Sequence, residues 1–329
     1  MKMILKIALL MLFGANMLYS DILLLTELET DPVSASMRNT MTAKSPSIHS
    51  MQQNPASMSL LKDRVFALTY TKGFDDSYNT SVKINYGLDS LSSIYGLLIH
   101  ESFGEFEKID GATYSASESV IGIGYSRNMY KDIQSGLTVK YLFSDIEDYS
   151  GSAIVADLNF YKKLFEDKIG ISAGFYNFGF QMEKFGDDTE DLPTTFKIGI
   201  SNQLDKAPIE IIAQYTRFLN QEVNEYTLGA EFIPNDMLSI RAGYNFCYDD
   251  FEIGTGDKKE LFSGVAAGLG INYDKFDFDF AYKVDGYLDD QFWLGVVYSL
   301  DTGESWIPNF DKDTDDGDNS GNSKRRKRR

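Results

Sequence analysis

Phe276-Asp277-Phe278-Asp279-Phe280-Ala281-Tyr282-Lys283 alternates, residue by residue, between a ring and a small or charged group. In an extended strand successive side chains point to opposite faces. Phe276, Phe278, Phe280 and Tyr282 therefore share one face, and Asp277, Asp279, Ala281 and Lys283 share the other. One face suits lipid or a dry core and the other suits water. The same pattern recurs upstream. Leu238, Ile240, Ala242, Tyr244 and Phe246 oppose Ser239, Arg241, Gly243 and Asn245, and Tyr226, Leu228, Ala230 and Phe232 oppose Glu225, Thr227, Gly229 and Glu231.

Working outward, runs of about ten residues with this alternation, each ended by Gly, Asn, Asp or Ser, fill the chain from residue 63 to residue 300. They number fourteen: 63–72, 79–87, 92–106, 117–127, 132–144, 150–162, 167–177, 193–203, 207–218, 223–233, 237–247, 261–273, 275–284 and 290–300. An even count suits a closed bacterial barrel. A two-sheet sandwich alternates as well, so periodicity alone leaves both open. The connections separate them better. Ile233-Pro234-Asn235-Asp236, Tyr273-Asp274-Lys275 and Leu204-Asp205-Lys206 are short, whereas 107–116, 178–192 and 248–260 are long. Short turns after every even-numbered strand and long loops on the other side are the layout of an outer-membrane barrel, with both termini in the periplasm. The expected fold is all-β, a fourteen-stranded antiparallel transmembrane barrel.

The flanks complete the organisation. Residues 1–20 have the basic start, apolar run and small-residue end of a signal peptide, so the chain is expected to leave the cytoplasm. No cysteine lies near position 20, which argues against lipid attachment there; Cys247 stands alone, so it has no internal disulfide partner. Beyond the signal no apolar stretch reaches the roughly 18 residues of a helical span, so any insertion must be through strands. Residues 21–62 lack sustained alternation, and 301–329 form a polar tail ending in six basic residues, Lys324 to Arg329. The domain reading is thus signal 1–20, N-terminal segment 21–62, barrel 63–300 and disordered periplasmic tail 301–329. A net charge of −18 argues against nucleic acid as a partner.

Three features carry a family resemblance. The N-terminal segment holds Ser34-Ala35-Ser36-Met37-Arg38, then a polar stretch, then Gln53-Asn54-Pro55-Ala56 just before the first strand. The last run, Phe292 to Leu300, carries the glycine and apolar spacing of a terminal insertion strand. This layout resembles the fatty-acid-transporter-like (FadL-type) outer membrane barrels and the related PorV/PorQ-type group. In those proteins an N-terminal plug with an arginine leads through an Asn-Pro-Ala motif into fourteen strands. The resemblance assigns Arg38, Asn54, Pro55 and Ala56 to a plug motif; the glycines the family places near the arginine are replaced by Ser, Met and Thr. It implies passive uptake of hydrophobic molecules of the long-chain fatty acid type through a plugged lumen. The alternative is a PorV/PorQ-like secretion or surface-attachment scaffold without small-molecule transport. The implied partners are outer-membrane lipid together with either hydrophobic small molecules or secretion-system proteins, for a monomer without cofactor.

A channel for acids would present a basic residue to a carboxylate head group. Lys83, Lys140, Lys197 and Arg241 fall on the polar phase of their strands and are the candidates, with Glu231 and Asp157 available to pair with such charges instead. Asn54 is expected to bond its own backbone two residues on. No enzyme is expected. His49 and His100 are far apart in sequence with no evident catalytic or metal partner, and abundant carboxylates make accidental pairs unavoidable. Asp311 to Asp318 echoes a calcium loop, but Gly317 falls seventh instead of sixth, so no metal site is assigned.

Overall fold

The computed structural model describes residues 25, 27–61, 64–73, 76–108, 111–184, 192–220, 223–246, 264–283 and 291–300. Signal, tail and Cys247 lie outside these residues. Among them a five-residue helix, α1 (Pro32–Ser36), and 3-10 turns at Ile48–Ser50 and Pro55–Leu60 precede fourteen strands. The strands are β1 (Arg64–Lys72), β2 (Tyr78–Gly87), β3 (Ser92–Glu107), β4 (Thr113–Asn128), β5 (Ile133–Ile146), β6 (Tyr149–Leu164) and β7 (Ile169–Glu183). They continue as β8 (Thr195–Gln203), β9 (Ile209–Phe218), β10 (Asn224–Asn235), β11 (Leu238–Asn245), β12 (Val265–Tyr273), β13 (Phe276–Lys283) and β14 (Gln291–Leu300).

Each strand pairs antiparallel with its neighbours in sequence, and β1 pairs with both β2 and β14, so the sheet closes on itself. Closure is what a spanning sheet requires, because an open edge in hydrocarbon would leave N–H and C=O groups unsatisfied at several kcal/mol each. The alternation sets the facing. Along β8, Ile198 and Ile200 point outward while Lys197, Gly199 and Ser201 point in; along β11, Ile240 and Ala242 are outside and Arg241 and Gly243 inside. Large apolar side chains such as Leu68, Ile121, Ile123, Leu228 and Phe292 are exposed all around the wall. On a water-soluble protein so continuous an apolar belt would be anomalous; on a membrane barrel it is the lipid face. No helix among the described residues is long and apolar enough to cross a membrane, which says nothing of strands.

The connections depart from the sequence expectation on one side. β3 to β7 run for 14 to 16 residues, beyond the ends that the alternation suggests. The loop expected at 107–116 shrinks to the residues between Glu107 and Thr113, and β7 continues to Glu183, through the segment read as the start of a loop. β5 and β6 are joined by Glu147 and Asp148 alone, with Glu147 in the left-handed region at φ 58°. A turn so tight sits on the side expected to hold long loops. The cause is continuous pairing: β4 and β5 stay in register from Ala116–Ile146 to Asn128–Gln134, so backbone hydrogen bonds carry polar residues that show no apolar alternation.

Candidate functional site in the barrel lumen

The N-terminal segment lies inside the cylinder, where its side chains are almost entirely buried. Local chemistry shapes it. Asp31 caps α1 by accepting from the Ser34 N–H at 2.9 Å, and Pro32 occupies the first helical position, where its missing N–H is no loss. The helix ends because Arg38 and Asn39 adopt left-handed conformations (φ 50° and 59°), letting the Asn39 N–H donate to the Ser34 carbonyl at 2.8 Å. The wall accommodates this reversal at Gly243, where a Cβ would lie 2.3 Å from the Met37 carbonyl carbon. Gly136 does the same for the Asn-Pro-Ala stretch, since a Cβ there would lie 2.4 Å from the Ala56 nitrogen.

Asn54 does not bond its own backbone as expected; its amide donates to the Lys44 carbonyl at 3.4 Å, which ties two passes of the segment together. The Ala56 N–H donates to Asn159 Oδ1 at 3.1 Å, and the Ser126 hydroxyl donates to the Ala56 carbonyl at 2.7 Å. Further round, the Met41 and Thr42 N–H groups share Gln214 Oε1, Tyr176 donates to the Gln53 carbonyl, and Trp293 donates to the Glu29 carbonyl. The segment is thus hydrogen-bonded to inward side chains on most sides of the cylinder.

Charge pairs dominate one sector. Glu210, Lys44, Glu231, Arg241, Asp279, His49, Asp31 and Lys83 form an unbroken chain of alternating sign from β9 across the lumen to β2. Its separations are 2.8, 2.5, 2.6, 2.6, 3.3, 3.0 and 2.5 Å in that order. His49 sits between two carboxylates. Burial opposes its charge, but Asp31 and Asp279 more than offset this and raise its pKa to about 9. Burial likewise opposes ionisation of Asp31, and Lys83 and His49 overcome it, holding that carboxyl well below the usual range. Sequence reasoning missed His49 because its partners are 18 and 230 positions away; only the inward phase of Asp279 was visible.

The candidate head-group residues are all inward and all engaged. Lys83 lies 2.5 Å from Asp31, Lys197 2.6 Å from Glu27, Arg241 2.6 Å from both Glu231 and Asp279, and Lys140 2.8 Å from Asp157. Arg38 of the plug motif meets Glu29 at 3.2 Å, and Lys283 reaches the same carboxylate at 3.3 Å. The four candidates do not converge on one point but are spread over β2, β5, β8 and β11. His100 pairs with Ser119 instead. Among the described residues no His, Cys, Asp and Glu cluster is arranged to hold a metal ion.

Opposite the charge chain, the inward face of β3 to β6 carries an apolar strip among polar residues. Ile99, Val120, Leu142 and Ala153 are register partners in turn across β3, β4, β5 and β6, forming one inward row. Leu97 and Val155 flank it, and Leu25 and Met51 of the N-terminal segment belong to the same buried cluster, with Leu28 and Leu192 packed against it. A groove of about 760 Å³ lies elsewhere, on the outer wall, lined by Phe160, Ile171, Ile198, Ile200, Tyr226 and Leu228. It is part of the lipid-facing belt and has no bearing on the lumen.

No protein-family model matches the sequence, and no curated protein matches it. Solved structures do. The toluene transporter TodX of Pseudomonas putida aligns with a TM-score of 0.59 at 12% identity, covering 83% of this chain and 98% of that one. The CymD monoaromatic hydrocarbon channel gives 0.58 at 9%, covering 83% and 97%. A Pseudomonas aeruginosa FadL homologue gives 0.57 at 9%, covering 82% and 98%. At such identities the likeness is one of fold.

Proposed function

We propose that this chain is an outer-membrane conduit for hydrophobic small molecules, closed by its N-terminal segment acting as a plug. The observation that carries the reading is the inward apolar row Ile99, Val120, Leu142 and Ala153. Inward positions of a barrel ordinarily face water and are polar; an apolar strip there gives a greasy solute somewhere to go. The shared fold with channels described as carrying toluene and monoaromatic hydrocarbons supports the same reading. It favours conduction over the secretion or surface-attachment scaffold that the sequence leaves open. Residues 1–20 would direct export, the belt would sit among lipid acyl chains, and the barrel would act as a monomer without enzymatic chemistry.

Two measurements test it. Detergent-extracted protein should migrate differently on a gel before and after boiling, as a closed barrel does, and identical migration would remove the membrane barrel. Cells carrying the protein should accumulate radiolabelled decane faster than cells lacking it; equal rates would remove conduction.

A further inference from the structure

Resting on that conduit reading, we infer that the lumen selects uncharged hydrophobes over carboxylates, and that Asp157 is the residue that sets this preference. Lys140 borders the apolar strip, as does Lys83, which lies across from the flanking Leu97 but is held by Asp31 of the N-terminal segment. Lys140 lies on β5 two residues from Leu142, on the same inward face, directly across from Val155 on β6. A carboxylate whose chain lay along Ile99, Val120 and Leu142 would find this ammonium at its end. Asp157, also inward and two residues from Val155, already holds it at 2.8 Å, and Lys140 donates further to Asn177 Oδ1 at 2.5 Å. Asp157 is in turn fixed by accepting from the Asn177 N–H at 2.9 Å. That N–H is available because Asn177 adopts φ 57° at the point where β7 slips register against β6. The bulge therefore presents two groups, one to each member of the pair, and locks it.

The other end of the strip is no kinder to an anion. One step beyond Ile99 and Val120 on the inward face, Glu101 and Glu118 are register partners. An acid entering head first or tail first meets carboxylates on one side and a neutralised lysine on the other. A buried charge without a partner is unfavourable by several kcal/mol. An alcohol or hydrocarbon of the same length meets no such penalty.

The test is equilibrium binding of 1-decanol and of decanoate at pH 8 to the full chain in phosphatidylcholine nanodiscs, with empty discs subtracted. The wild type should bind 1-decanol about tenfold or more tighter than decanoate, the scale of one hydrogen bond to a charged group. Asp157→Asn, which frees the Lys140 charge, should tighten decanoate about tenfold and collapse the preference; Asp157→Glu should keep it. Equal or stronger binding of decanoate by the wild type would overturn the inference. So would an Asp157→Asn protein, shown intact by its unboiled gel migration, that leaves decanoate binding unmoved. Should that variant not fold, the wild-type ratio and Asp157→Glu still decide. Binding of neither probe above empty discs would instead defeat the conduit reading itself.

Discussion

His49 offers the sharpest perturbation of the luminal charge chain. Its imidazole bridges Asp31 at 3.0 Å and Asp279 at 3.3 Å, joining the N-terminal segment to β13, and its pKa is raised from 6.5 to about 9 by those carboxylates against the opposing effect of burial. A group with a higher pKa folded than unfolded binds its proton more tightly in the folded state. Its stabilising contribution is therefore complete below about pH 6.5 and disappears as pH rises through about 9. The difference corresponds to about 3 kcal/mol at 1.36 kcal/mol per pH unit. Urea titration of the detergent-extracted barrel, read by unboiled gel migration between pH 6 and pH 9, should show the wild-type midpoint falling steadily across that window. His49→Gln removes the titrating group and leaves Asp31 and Asp279 facing a neutral amide. Its midpoint should be lower at pH 6.5 and nearly flat to pH 9, the two curves converging at the alkaline end. A wild-type midpoint that rises with pH, or one that parallels the variant throughout, would refute the argument that His49 is folded as a cation between two carboxylates.

Three further substitutions probe wall and belt. Gly243→Ala places a Cβ 2.3 Å from the Met37 backbone, which cannot swing aside, and should cost about 3 kcal/mol in the urea midpoint, whereas Gly122→Ala brings its Cβ no closer than 3.0 Å to side-chain carbons of Leu97 and Lys140, which need give way by only a few tenths of an ångström, and should cost well under half as much. Ile198→Arg, near the middle of the outer face of β8, should lower stability by about 2–4 kcal/mol in a lipid bilayer; an effect within about 0.5 kcal/mol would argue that this face does not contact hydrocarbon.

Much of the cylinder was legible because side-chain facing in a strand depends only on parity. Phe276 and Phe278 outside with Asp279 inside, or Ile240 outside with Arg241 inside, follow from neighbours one position apart. What parity cannot convey is the far ends of β3 to β7, where pairing continues through residues such as Glu107, Asp145 and Gln181 that carry no apolar signal. Nor does it show the bulge at Tyr176 and Asn177, where consecutive side chains are both buried. The N-terminal segment was the least legible. Its shape is written locally, in Asp31, Pro32 and Pro55, but its placement depends on contacts such as Lys44 with Glu210, 166 residues away, and Arg38 beside Gly243. The polar phase marked Lys83, Lys140, Lys197 and Arg241 as inward without revealing which carboxylate would reach each.

The two sides of the lumen hold the segment by different physics, and that difference bears on how cargo could enter. On the side of β9 to β13 and β2, the segment is held by directional ion pairs. Removing one member strands the other in a buried site, a loss of about 3–5 kcal/mol that no hydrocarbon can restore. On the side of β3 to β6, hydrogen bonds from Asn159 and Ser126 hold only the Ala56 end of the segment, while Leu25 and Met51 share a buried cluster with Leu97, Ile99, Val120 and Leu142, and Leu28 packs against it, through contacts that are apolar and non-directional. There the free energy follows the area removed from water, about 25 cal/mol per Å², whichever molecule supplies it. An apolar ligand of similar girth would compete with Leu25 for that strip, whereas Leu28 is held between Glu27 and Glu29, which are paired to Lys197 and to Arg38 and Lys283. On the proposed conduit reading, entry along β3 to β6 would therefore require only a partial displacement of the segment and would reward ligands in proportion to their apolar surface.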